Sequence, residues 1–151
     1  MTKIILYITI MIVIYIFKKA IKALYEVWKH KRIKDYVSRT KQVRNAVQSL
    51  AKVRVAIGKT ENLEDFIMDK DTILAKVDIC SEKLWKLWTP YQSICGEDIR
   101  QVIETLAKYS KEGRLCILRH QPKKYQRLHK ETFQAFTSRS LDGALERLRK
   151  S

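Results

Sequence analysis

Few residues in this chain have the type and spacing for chemistry. Cys116, His120 and His129 are the first to consider, because thiolate and imidazole are the usual zinc donors. Structural zinc takes four ligands, commonly in two tight pairs, and only the Cys116–His120 pair is tight. The expected reading is one semi-buried thiol and two histidines at the solvent edge, with no metal. A Cys–His nucleophile would also need an oxyanion site and a third, orienting group, and nothing nearby supplies either. The tripeptide Gly58-Lys59-Thr60 has the ending of a phosphate-binding loop. That loop needs a glycine five positions earlier, where Val53 stands, and a strand in front of it, where a helical pattern runs. Glu97/Asp98 and Glu61/Glu64 fall at expected helix starts, where carboxylates favour the positive end of the dipole. No catalytic residue and no cofactor is therefore expected.

Binding chemistry is better represented. The stretch KKYQRLHKETFQAF (123–136) interleaves cations with aromatics. Lys123, Lys124, Arg127 and Lys130 could meet phosphates or an acidic partner, and Tyr125 could stack on a base. The competing expectation is an amphipathic helix with Tyr125, Leu128, Phe133 and Phe136 in a core. Trp85 and Trp88 lie three apart in LWKLW (84–88), so a helix brings them together; their expected place is also the core. A third cluster follows the N-terminal run: Lys18, Lys19, Lys22, Lys29, Lys31, Arg32 and Lys34. Beside an anionic leaflet each such cation contributes about 1 kcal/mol, so these seven are the expected membrane-surface contacts.

The elements that must position these groups are helices. The chain has 151 residues with only 4 Gly and 2 Pro, too few turn-formers for a sandwich of short strands. The net charge of +15 is uneven. Residues 1–58 carry 13 Lys/Arg against 2 acids, residues 59–107 carry 6 against 10, and residues 108–151 carry 12 against 4. The outer zones suit anionic partners, whether phospholipid or nucleic acid. Three widely spaced cysteines, Cys80, Cys95 and Cys116, fit reduced thiols better than a disulfide framework.

Residues 4–17, IILYITIMIVIYIF, contain no charge, glycine or proline. A packed surface helix would alternate apolar and polar positions every three to four residues; this run does not. No small-x-small cleavage site follows it, so an export signal is not the expected reading. A membrane anchor is. Fourteen residues rise about 21 Å, short of the hydrocarbon thickness of about 30 Å, and the lysines after Phe17 can snorkel to make up part of the difference. The excess of cations on the C-terminal side places that side in the cytoplasm and the N-terminus outside.

The expected architecture is all-α: a single transmembrane helix, then a cytoplasmic helical bundle of about four to five helices. Residues 1–24 hold the anchor and juxtamembrane start, 25–58 a long basic amphipathic helix, and 59–151 the remainder. The periodicity predicts a kink or stutter between Trp28 and Ile33, and helix ends at Gly58, at Thr89-Pro90 and at Gly113. It also predicts an N-cap at Asn62 and a break at 138–140, and leaves RLCILRH (114–120) open between helix and strand. The expected partners are the lipid bilayer and a protein partner or a second copy, joined through an Ile33–Ile57 coiled-coil stripe. Nucleic acid at the basic C-terminal region is the alternative.

Overall fold

The computed structural model describes residues 1–137 and 139–150. Among them the chain is all-helical, with no strand: α1 (Thr2–Gly58), α2 (Leu63–Trp88), α3 (Gln92–Arg119), α4 (Pro122–Phe136) and α5 (Arg139–Lys150). It divides into two compact units, Met1–Ser38 and Arg39–Ser151.

The first unit is a length of α1 and nothing else. Every one of its residues is exposed. Its backbone is helical from Trp28 to Ile33, so the expected kink is absent; the change of apolar spacing there alters which face is greasy and leaves the ladder intact.

The second unit has a continuous core. Val43, Ala46, Leu50, Val53 and Ile57, at alternating spacings of three and four, are the buried row on the last turns of α1. They join Leu63, Phe66, Val77, Leu84 and Leu87 of α2, Ile99, Leu106 and Tyr109 of α3, Tyr125 and Phe136 of α4, and Leu141 and Leu148 of α5. α3 is the central helix, packed on α2, α4 and α5. The expected Ile33–Ile57 stripe therefore divides. Val43, Leu50 and Ile57 are core and closed to a second copy, whereas Ile33, Tyr36, Val37 and Val47 are exposed.

The helix ends follow local chemistry, not always the one expected. α1 stops at Gly58 through Thr60, whose backbone N–H and side-chain hydroxyl both donate to the Ile57 carbonyl at 3.0 Å. Asn62 has the extended backbone of an N-cap but makes no side-chain capping bond; Glu64 and Asp65 in the first turn serve the dipole instead. α2 runs unbroken through Asp69–Asp71 and ends before Thr89 and Pro90. α3 is bent at Gly96, where φ is 59°, a left-handed value that suits glycine, and the Trp88 indole donates to the Gly96 carbonyl at 3.2 Å.

Gly113 does not end α3. It is buried inside the helix, and a Cβ there would lie 3.1 Å from the Phe66 ring, so glycine is present for close packing. Residues 114–119 continue the helix, and His120 closes it in a left-handed conformation, φ 49°. Pro122 then opens α4 in the first-turn position it favours. α4 ends at Phe136 and α5 starts at Arg139; of the expected break, Ser138 lies outside the described residues.

Candidate membrane and interaction surfaces

Two surfaces hold the binding residues expected from sequence. The first belongs to the Met1–Ser38 unit. α1 is the one described helix long and apolar enough to cross a membrane, and none of its most apolar window is buried. Ile4 to Phe17 present apolar side chains all round the helix, interrupted by Thr9, whose hydroxyl is turned back onto the Ile5 carbonyl at 2.8 Å. An intrahelical bond of this kind satisfies a hydroxyl where water is absent.

Lys18, Lys19, Lys22, Lys29, Lys31, Arg32 and Lys34 follow, all exposed. Their spacing brings four of them together: Lys18, Lys22, Lys29 and Arg32 stand at i, i+4, i+11 and i+14, one side of the helix. The Arg32 guanidinium lies 5.2 Å from the Trp28 ring centre, and the Tyr25 and Trp28 rings are 6.0 Å apart.

The second surface is the outer side of α4. Lys123, Lys124, Arg127 and Lys130 are exposed there, and among the described residues none of the four pairs with a carboxylate. The cation that does pair is on α3, Lys108, 3.6 Å from Glu131. Tyr125, grouped with these cations at first, is not part of the surface. Its ring is 0% exposed, stacked on Phe66 at 4.9 Å, so neither face is open to a base. The reason is helical spacing: Tyr125, Leu128, Thr132 and Phe136 share the side of α4 turned to the core.

Tyr125 instead belongs to a buried polar network not anticipated from sequence. Its hydroxyl donates to the Thr60 carbonyl at 2.9 Å and lies 2.8 Å from the Tyr109 hydroxyl. Burial pushes both phenols up from their ordinary value, so both remain neutral donors and acceptors. His129 adds a contact of Nε2 to the Ile57 carbonyl at 2.8 Å. Three hydrogen-bonding side chains thus tie α3 and α4 to the end of α1. The available signal was the buried-stripe position of Tyr109 and Tyr125, since a buried phenol needs a partner.

The remaining candidates resolve by burial. Cys80, Cys95 and Cys116 are free and buried. Desolvation pushes the Cys80 thiol up to about 12 and Cys95 to about 11, and raises Cys116 in the same direction. Cys116 is fully buried rather than semi-buried, and His129 is half-buried and bonded to backbone rather than at the solvent edge. Among the described residues no three His, Cys, Asp or Glu side chains gather as a metal site. Thr60 of the Gly58-Lys59-Thr60 sequence is buried in the tyrosine network. The core expectation for the tryptophan pair holds in part: Trp88 is partly buried and packed against the core, whereas Trp85, 5.3 Å from it, is more than half exposed, as is Trp28. Comparison with protein-family models, with curated proteins and with solved structures returns no match.

Proposed function

We propose that this chain is a single-pass membrane protein whose cytoplasmic helical bundle works by binding, as an interaction or scaffold module. The observation that carries the reading is the Ile4–Phe17 run, apolar on every side and exposed on every side, followed at once by Lys18 and Lys19. Such a surface is stable in hydrocarbon and costly in water. The cations after the run, against Lys3 before it, orient the Arg39–Ser151 unit toward the cytoplasm. The thiols offer no activated nucleophile. A nucleophilic cysteine is activated by a lowered pKa, and Cys80 and Cys95 are pushed the other way.

The test is extraction of the full chain from cell membranes with alkaline carbonate, with protease access to a C-terminal tag read in sealed vesicles of known sidedness. Retention in the membrane with the tag on the cytoplasmic side is the expected result. Release by carbonate, or a tag on the outer side, rejects the anchor or the orientation respectively. Chemical cross-linking in the same membranes then reads the interaction role: a monomer at every density with no cross-linked neighbour removes it.

A second reading, a membrane-tethered nucleic-acid binder, is favoured by one observation. Lys123, Lys124, Arg127 and Lys130 form an exposed row with no carboxylate partner among the described residues, in a zone of 12 cations against 4 acids. Binding of the detergent-solubilised chain to short RNA and DNA should then fall steeply with salt, and reversal of Lys123, Lys124 and Arg127 to Glu should flatten that slope. An unchanged slope removes this reading.

A further inference from the structure

The apolar run is too short for the layer it enters. Ile4 to Phe17 rises about 21 Å against a hydrocarbon core of about 30 Å. Residues after Phe17 must make up much of the remaining 9 Å or so, and a headgroup layer of some 5–7 Å lies beyond that. Phe17 to Trp28 is eleven residues, about 16 Å of helix. The segment up to Trp28 therefore coincides with the boundary layer even if the helix stands upright.

That segment is built for a boundary. Ile21, Leu24, Tyr25 and Trp28 stand at i, i+3, i+4 and i+7, one face of α1. All four are more than half exposed, Leu24 to 70%. Lys18, Lys22 and Lys29 border this face on one side and Lys31 on the other, Arg32 continues its line one turn beyond Trp28 with its guanidinium over the Trp28 ring, and Lys19 and Ala23 point away from it. Long cationic side chains beside an apolar stripe can reach phosphates while their stems stay against acyl chains. Tyr and Trp carry the same duality, an apolar ring with a polar edge, and favour this depth. Residues 18–38 hold seven Lys and Arg against Glu26 and Asp35, so the complementary surface is anionic.

We propose that Ile21, Leu24, Tyr25 and Trp28 form a second membrane contact, an interfacial face seated in the headgroup layer of an anionic leaflet, with Lys18, Lys22, Lys29 and Arg32 on lipid phosphates. This inference rests on the anchor reading above. It adds that the segment beyond the span is lipid-bound and that its contact is set by leaflet charge.

The test uses the full chain in vesicles of phosphatidylcholine with and without phosphatidylserine, carrying single substitutions labelled with a polarity-sensitive fluorophore. Cys80, Cys95 and Cys116 are buried, which leaves the introduced thiol as the reactive one. The positions are Leu24→Cys on the face, Ala23→Cys opposite it, and Met11→Cys inside the span. With phosphatidylserine, the label at 24 should be shielded from an aqueous quencher and the label at 23 open to it. Removing phosphatidylserine, raising salt, or adding Lys22→Gln with Lys29→Gln should open position 24, by about fivefold in the partition ratio per charge lost. Labels at 23 and 24 equally open, with 11 shielded, overturn the interfacial face and leave the anchor standing. A label at 11 open to water overturns both. Shielding at 24 that disappears when the protein is diluted in excess lipid, at fixed lipid charge, overturns the proposal in favour of a second copy on this face.

Discussion

The two units of α1's chain use the same residue types to opposite ends. In Arg39–Ser151, Val43, Leu50, Val53 and Ile57 are at most 4% exposed and each faces a neighbouring helix. In Met1–Ser38, Ile8, Ile12 and Val13 are about half exposed or more, and no other part of that unit covers them. Apolar content alone does not make a core. What separates the units is interruption: polar residues between the apolar ones leave a face for water, and residues 4–17, with Thr9 alone and its hydroxyl turned onto the Ile5 carbonyl, leave none.

The sharpest way to break this contrast is to truncate one side chain in each unit. Leu106→Ala, in the centre of α3, should cost about 2–5 kcal/mol of unfolding free energy, because the site is fully enclosed. Ile12→Ala should leave the same transition unmoved in detergent. Denaturant unfolding followed by circular dichroism reads both. Equal losses would mean that the N-terminal run packs as core, and the contrast would fail.

pH gives the next test, and the buried thiols it addresses all lie in the Arg39–Ser151 unit. The Cys80 and Cys95 thiols sit at about 12 and 11 in the fold against 9.0 in an open chain. Above 9.0 the unfolded chain releases protons that the folded one keeps, so unfolding gains and stability falls as pH rises from 9.0 toward those values. Below 9.0 the contribution is fully present. Midpoints measured on the two sides of 9.0 should differ in that sense, and alkylation of the native thiols should keep pace with unfolding, not precede it. Rapid alkylation of the folded protein at neutral pH would contradict their burial.

Close packing comes third. At Gly113 a Cβ meets the Phe66 ring at 3.1–3.2 Å, so Gly113→Val overpacks α3 against α2 by about 1–3 kcal/mol. Combining it with Phe66→Leu should recover part of that loss, a coupling that distant sites do not show. Tyr125→Phe is more specific. It keeps the ring on Phe66 and removes the hydroxyl shared by Tyr109 and Thr60, for about 1–3 kcal/mol. An unchanged midpoint would mean that the network does not tie the end of α1 to α3 and α4.

These positions also show what could be read from the chain before its structure. The helical class and most of the buried rows follow from spacing: Leu63, Phe66, Val77 and Leu84 on α2, and Tyr125, Leu128 and Phe136 on α4. Phe133, expected in the same α4 row, is instead 39% exposed, and Thr132 takes the buried position beside it. Gly113 was not, because a glycine that ends a helix and one that admits a ring look alike until the ring is placed. Tyr125 was legible as core and as a candidate stacking residue, and only the stacked Phe66 decides between them. The cations that follow the apolar run are the opposite case. Lys18 to Lys34 need no tertiary contact to be exposed on a helix, so sequence already places them. The tyrosine network required three segments far apart in sequence, Thr60, Tyr109 and Tyr125, and no local pattern encodes that meeting.

The smallest expected effect concerns the charges that decorate the core. Arg147 on α5 lies 3.2 Å from Asp98 on α3. Both side chains are substantially open to water, at 55% and 32%, so solvent screens the attraction and the side chains lose rotamer freedom in making it. Arg147→Ala should therefore cost less than about 1 kcal/mol and should cost less still at high salt. Leu148, the next residue and 0% exposed, supplies the contrast on the same helix. Leu148→Ala should cost several times more and should be indifferent to salt, since its stabilisation is apolar burial. If the two substitutions cost the same, α5 is held by its charges, and the division between a core that folds the unit and a charged exterior left free for partners would have to be redrawn at this helix.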